Sequence, residues 1–287
     1  VFVLIGYVII LATVFGGFIV AGGNIMVIVK AAAIEMLIIG GGAAGAFVAG
    51  NSIKTIKASI AGTLGLLKGP KFGKADYIEL LKLLYELLMK IRKEGLMAVE
   101  SHVENPEASA IFQKYPKVLA DHHLLDFITD CLRLMIGGNM NPHELEAVLE
   151  AELDTRHKEA HTPSHAIQTM ADGLPAFGIV AAVLGIVKVM EYVGNAPPEV
   201  IGQKVAAALV GTFLGILLGY GFVGPVAAAM GARAEEDGKP FELVKIALLA
   251  SVRGYPPPVA IEFARKQLFS DIRPSFADLE TELKGAK

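Results

Sequence analysis

The stretch 205–232, VAAALVGTFLGILLGYGFVGPVAAAMGA, carries no Asp, Glu, Lys or Arg and places Gly211, Gly215 and Gly219 at four-residue steps. A charge-free apolar run of that length reads as a membrane span, because about 20 apolar residues cross a ~30 Å hydrocarbon layer as a helix. Working outward, residues 1–50 hold only two charges, Lys30 and Glu35. They divide into apolar runs over 2–20 and 31–50, and a further run covers 173–193. The chain as a whole, 53% hydrophobic and 19% charged over 287 residues, is only mildly unusual. It is the clustering that decides for an all-α membrane protein with four transmembrane helices. This excludes a soluble globular enzyme, a secreted disulfide scaffold and a disordered chain. A single Cys131 leaves no internal bridge and fits a reducing, cytoplasm-facing location. The net charge of −3 gives no electrostatic case for nucleic acid. The N-terminal run lacks a basic leader and a second span follows almost at once, so it is expected to be retained.

Orientation follows from the basic residues. Of 26 Lys and Arg, fourteen fall in 51–168 and nine in 231–287, whereas the connections 21–30 and 194–200 hold only Lys30. Basic residues near span ends stay in the cytoplasm, which puts both termini and the 51–168 segment inside. The expected organisation is transmembrane helices 1 and 2 in 1–50, a cytoplasmic helical domain in 51–168, transmembrane helices 3 and 4 in 169–232, and a cytoplasmic helical segment in 233–287. Residues 75–97 read as one amphipathic helix. Leu80, Leu84, Leu87 and Ile91 form its apolar stripe, and Glu79, Lys82, Glu86, Lys90 and Lys93 the other face. Two more helices are expected over 122–136 and 142–155, split by a Gly137-Gly138-Asn139 turn.

The spans are rich in small residues. Gly211, Gly215 and Gly219 make two overlapping GxxxG steps, and Gly178, Ala182 and Gly185 line one side of the third span. Such faces admit close backbone approach where lipid supplies no hydrophobic drive, either between this chain's own helices or around a foreign helix. Pro175 and Pro225 each remove a backbone hydrogen bond and are expected to kink spans 3 and 4. Ion pathways ordinarily use an intramembrane Asp, Glu or His. Spans 3 and 4 offer only Asp172 at one end and Lys188 and Glu191 at the other, while Glu35 reads as an interfacial anchor near the outer end of span 2. No acid is expected at mid-membrane, so either the protein moves no ions or a partner brings the carboxylate.

Other constellations carry little chemistry. His157, His161 and His165 are spaced four apart, but Pro163 is expected to interrupt their helix and no Cys or clear acidic ligand joins them, so a structural role outweighs zinc. Gly40-Gly41-Gly42 lies inside an apolar span and is no phosphate loop. No nucleophile–base signature is present, so neither an enzyme nor a metal or other cofactor is expected.

Five stretches carry a resemblance: VFVLIGYVIILATVFGGF at the start, RKEGLMAVESHVENP (92–106), LPAFGIVAAVLGIV (174–187), VGTFLGILLGYGFVGP (210–225) and GYPPPVAIEF (254–263). In order and nearly end to end, they resemble the MotA family, membrane stator subunits of the bacterial flagellar motor. The resemblance implies a homopentameric ring in the cytoplasmic (inner) membrane around two copies of a single-span partner, MotB, which carries the ion-accepting aspartate. It further implies torque delivered to the rotor protein FliG through Arg92 and Glu100. If the helix continues through Gly95, these two charges lie about 80° apart around it. Pro175 and Pro225 become coupling elements, with Asp172 matching an acidic position of proton-driven members. Within the same energy-coupling class, ExbB and TolQ have three spans, against four here.

Sodium-driven members of that family carry a threonine seven residues after the third-span proline, where this chain has Ala182; Thr212 is common to proton-driven ones. Sodium needs several oxygen ligands to replace its water, so proton drive is expected. Replacing sodium by potassium at fixed pH should leave motility unchanged; a steep sodium dependence of swimming speed would overturn this.

Overall fold

The computed structural model describes residues 2–138 and 141–284. Val1, Met140, residues 285–287 and Asn139 of the expected Gly137-Gly138-Asn139 turn lie outside the described residues. The helices are, in chain order, α1 (Phe2–Val20), α2 (Ile25–Gly50), α3 (Ile53–Gly65), α4 (Lys74–Glu94), α5 (Glu100–Glu104), α6 (Pro116–Ala120), α7 (His122–Gly138) and α8 (Pro142–Met190). They continue with α9 (Pro198–Ile216), α10 (Gly224–Val252), α11 (Pro257–Arg265) and α12 (Phe276–Lys284), and a π-helical segment, Leu217–Val223, joins α9 to α10. No strand occurs among the described residues. Four stretches are long and apolar enough to cross a membrane: Phe2–Val20, Ile25–Gly50, Pro142–Met190 and Pro198–Val252. The chain divides into two compact units, with boundaries between α3 and α4, inside α8 and inside α10.

The first unit comprises residues 1–69 and 159–233. α1 buries none of its residues, and α2 buries only Glu35, Ile39 and Ala43. An apolar exterior of this kind is what a helix facing hydrocarbon presents. The small core joins Ile39 and Ala43 of α2 to Leu174 and Ala181 of α8 and to Val210 and Leu214 of α9. Local chemistry sets the helix starts: Asn24 accepts from the Met26 N–H at 3.0 Å, and Ser52 from the Thr55 N–H at 3.2 Å. Because Asn24 caps α2, the helix begins six residues before the expected 31–50 span.

The second unit, residues 70–158 and 234–287, is built around α4. Tyr77, Leu80, Leu81, Leu83, Leu84, Leu87 and Leu88 are all buried there, against Phe127 and Ile128 of α7, Leu243 and Ala247 of α10 and Ile261 of α11. Each fully buried Leu contributes about 1.5–3 kcal/mol. On the polar face of α4 three residues are half-buried and paired, Lys82 to Glu282 at 2.9 Å, Glu86 to Lys114, and Lys90 to Glu94 at 2.7 Å, while Lys93 is exposed and Glu79 Oε2 is buried without a hydrogen bond. Arg265, buried, is held by two hydrogen bonds to Glu262 and one to the Pro274 carbonyl, and its guanidinium holds the Glu262 carboxyl below the usual range.

Three expectations are corrected. The helix over 75–97 stops at Glu94, because Gly95 adopts φ +88°, a left-handed turn that a residue with a Cβ resists. The 122–136 helix runs on through Gly137 and Gly138. The 142–155 helix and the 173–193 span are parts of one helix, α8, which continues through Pro163. Asn141 opens it by accepting from the His143 and Glu144 N–H groups while Glu144 accepts from the Asn141 N–H. Around Pro163, Ser59 donates to the Pro163 carbonyl and Ser164 to the His161 carbonyl, side-chain bonds that reinforce a turn short of one backbone donor.

Truncating Leu84, fully buried at the centre of the second unit, should cost about 2–5 kcal/mol. Leu84→Ala is therefore expected to lower the thermal unfolding midpoint of the purified protein, whereas Met97→Ala, at an exposed site, should leave it nearly unchanged.

Candidate functional site

In the first unit the site is a seam between α8 and α9. A Cβ on Gly178 would lie 2.9 Å from the Gly211 carbonyl oxygen and 3.0 Å from the Gly215 Cα; one on Gly215 would lie 2.7 Å from the Leu174 carbonyl oxygen. Gly185 meets Ala208 in the same way, its would-be Cβ 2.7 Å from the Ala208 Cβ. Ala182 is buried, and its backbone nitrogen lies 3.1 Å from the position of a Cβ on Gly211. The five glycines Gly178, Gly185, Gly211, Gly215 and Gly219 thus bring the two backbones of this chain into contact, with side chains excluded by geometry.

Pro175 lies in the interior of α8. Lacking an N–H, it leaves the carbonyl of Ala171, four residues earlier, without its helical donor. That carbonyl oxygen would lie 2.7 Å from a Cβ on Gly219, and the Pro175 ring carbon Cδ 3.0 Å from it. The proline and its freed carbonyl therefore face the π segment. There the Gly224 N–H bonds the Gly219 carbonyl, five residues back, and Pro225 follows in the first turn of α10. The simple kink expected at Pro225 is thus a run of widened turns ahead of the proline, a distortion that often marks a working part of a helix. Tyr7 of α1 donates to the Phe222 carbonyl at 2.7 Å, and its ring packs tilted against the Phe222 ring with centroids 4.7 Å apart. Tyr7 was outside the expected set. Its only sequence signal is a hydroxyl within a charge-free run.

Glu35, expected as an exposed interfacial anchor, is instead buried between helices. It sits ten residues into α2, is 7% exposed, and its Oε2 makes no hydrogen bond. That oxygen would lie 2.6 Å from a Cβ on Gly211. Thr212, next along α9, is half-buried, and Asp172 is exposed and accepts from Gln168 at 2.9 Å.

In the second unit Arg92 lies in the last turn of α4 and Glu100 opens α5. Both are exposed. With Gly95 ending α4 and a 3₁₀ turn over Leu96–Val99 between them, the 80° relation of a continuous helix does not apply. Nearby, Arg133 binds Glu104 at 2.9 Å and Asp130 at 2.9 Å, and the bond to Glu104 raises its pKa. This fixes α5 against α7. His157 of the spaced histidines pairs with Glu235 at 3.8 Å, and Pro163 does not interrupt their helix. Burial pushes the Cys131 thiol up, away from a reactive thiolate.

Fold and site together define a polytopic helical membrane protein whose spans meet through glycine, with proline-distorted turns at the contact. Residues 4–95 match the family model described as motility protein A N-terminal, and residues 120–242 match the MotA/TolQ/ExbB proton channel family. The chain is 44% identical to motility protein A of Salmonella typhimurium and of Escherichia coli, over 285 residues covering 99% of this chain and 96% of each relative. Bacillus subtilis motility protein A is 26% identical over 73% of this chain and 70% of its own. The fold matches the solved MotAB of C. jejuni with TM-score 0.73, at 19% identity, over 96% of this chain and 98% of that one. It also matches the flagellar MotAB stator complex of Bacillus subtilis with TM-score 0.67, at 20% identity, over 99% and 98%. The chain belongs to the motility protein A family.

Gly215→Ala should push α8 and α9 apart and sharply reduce the yield of folded protein extracted from membranes. Gly45→Ala in α2, whose Cβ would meet nothing within 4 Å, should leave the yield unchanged, since Ala is the better helix former by about 1 kcal/mol.

Proposed function

We infer that this chain is an ion-driven stator subunit of a bacterial flagellar motor, working in the inner membrane with a MotB-like single-span partner and converting ion-motive force into torque on FliG. The likeness to motility protein A carries this reading, because it runs from end to end and includes both the four apolar stretches and the helices of the second unit. The subunits form a homopentameric ring around the partner, whose aspartate accepts the ion. Residues 1–50 and 169–232 lie in the membrane. The 51–168 domain, the 233–287 segment and both termini lie in the cytoplasm, in keeping with the distribution of Lys and Arg. No covalent chemistry is involved.

Pro175, Pro225, Ala182, Thr212 and Asp172 are the ion-coupling set in this reading. Support comes from the contact of Pro175 with Gly219 at the π segment. A helix already short of regular hydrogen bonds there can change its bend at low cost when the charge on a neighbouring acid changes. One elementary charge crossing the membrane field releases about 2.3 kcal/mol per 100 mV, enough to bias a step between two packed arrangements. Arg92 and Glu100, both exposed, are the rotor-facing charges, and such groups steer and register a contact more than they tighten it.

In cells lacking their own stator, the chain expressed with a MotB-type partner should restore swimming. Reversing both charges, Arg92→Glu with Glu100→Lys, should abolish swimming while the complex still assembles; undiminished speed would overturn the assignment of the rotor face. Pro175→Leu should stop rotation with the ring intact, and normal torque in that variant would remove Pro175 from the coupling set.

A further inference from the structure

Glu35 is the only carboxylate in the buried class among the described residues. At 1.5 Å per residue it lies about 15 Å along α2 from Ile25. The site of a Cβ on Gly211 is 2.6 Å from its Oε2, 3.0 Å from the Ala181 Cβ and 3.1 Å from the Ala182 nitrogen. The carboxyl therefore sits where α2, α8 and α9 converge, in space that exists because residue 211 is glycine. In the apolar parts of these helices the cations Lys30, Lys188 and Lys204, and the acid Glu199, lie toward the ends next to the 21–24 and 191–197 loops, and Glu191 lies in the second of those loops; Arg156 and Lys158 belong to the part of α8 before residue 159. Asp172 lies toward the opposite end of the apolar part of α8. No hydrogen bond reaches Oε2.

An unpartnered acid buried between three apolar helices is costly, and ionisable groups kept inside a membrane bundle mark ion or proton paths. The residues that meet it at that point, Ala181, Ala182 and Gly211, bring no side-chain oxygen, whereas a sodium ion needs several oxygen ligands. What the site can hold is a proton. Resting on the reading of the chain as an ion-coupled stator subunit, we propose that Glu35 is a proton-carrying group of the path, contributed by this chain in addition to the partner's acid. An incoming hydronium becomes water as an O–H bond forms at Oε2. The same bond breaks when the proton passes to the next acceptor, so the carboxyl returns to its starting state and one proton has moved.

The test uses the complex of this chain with its single-span partner in stator-less cells. Glu35→Gln keeps size and hydrogen-bonding capacity but cannot take up and release a proton. Proton flux through the complex and swimming speed should fall about a hundredfold, the scale of losing a positioned proton-transfer group, with complex yield unchanged and partial recovery in Glu35→Asp. Wild-type flux in Glu35→Gln overturns the proposal. Should that variant fail to assemble, the wild-type complex decides through dicyclohexylcarbodiimide. The acid proton moves to a reagent nitrogen, the carboxyl oxygen bonds the reagent carbon, and the acyl group then shifts to nitrogen as a stable acylurea. A mass gain on the Glu35 peptide with loss of flux supports the proposal; no adduct there overturns it. Failure of the unaltered chain to restore swimming would count instead against the stator reading.

Discussion

Inside hydrocarbon a backbone N–H or C=O has no water to bond, so each group must be satisfied within the protein. The apolar helices of the first unit answer to that constraint. It makes the spans helices, and it makes each departure from regular helix expensive unless something nearby compensates. Pro175 frees the Ala171 carbonyl, and the chain places Gly219 against it. The π segment keeps its own bonds by reaching five residues back, and Tyr7 adds a donor to the Phe222 carbonyl.

The same constraint explains the glycines. Lipid tails are as apolar as Leu, so two spans gain little by hiding hydrophobic surface from it; contact between α8 and α9 has to come from dispersion and backbone approach. Gly178 against Gly211 and Gly215 provides that approach. The second unit rests on other physics. Its core is a hydrophobic cluster of Leu, Phe and Ile around α4, and ion pairs such as Lys82–Glu282 and Arg133–Glu104 lie on its rim.

Legibility followed the range of the interaction. Four spans could be read because hydropathy is a local sum, and α1 begins and ends where the run 2–20 does. The Leu80–Leu84–Leu87 stripe could be read because its period is local too. The break at Gly95 was harder, since a glycine in a helical pattern is tolerated as often as it terminates. Pro163 misled in the opposite direction: a proline predicts a break, yet α8 runs through it with Ser59, from a distant part of the chain, bonded to the Pro163 carbonyl.

The sequence by itself determined the class of protein, the number of spans and the family, because these depend on composition along the chain and on motifs in order. Only the tertiary structure decided where the spans' special residues point. Glu35 looked peripheral while its helix was taken to start at residue 31; Asn24 starts it earlier, and Gly211 opens the space its carboxyl fills. Whether a polar group in a span is an anchor or a buried site depends on which helix lies across from it, and that is a contact between residues far apart in the chain.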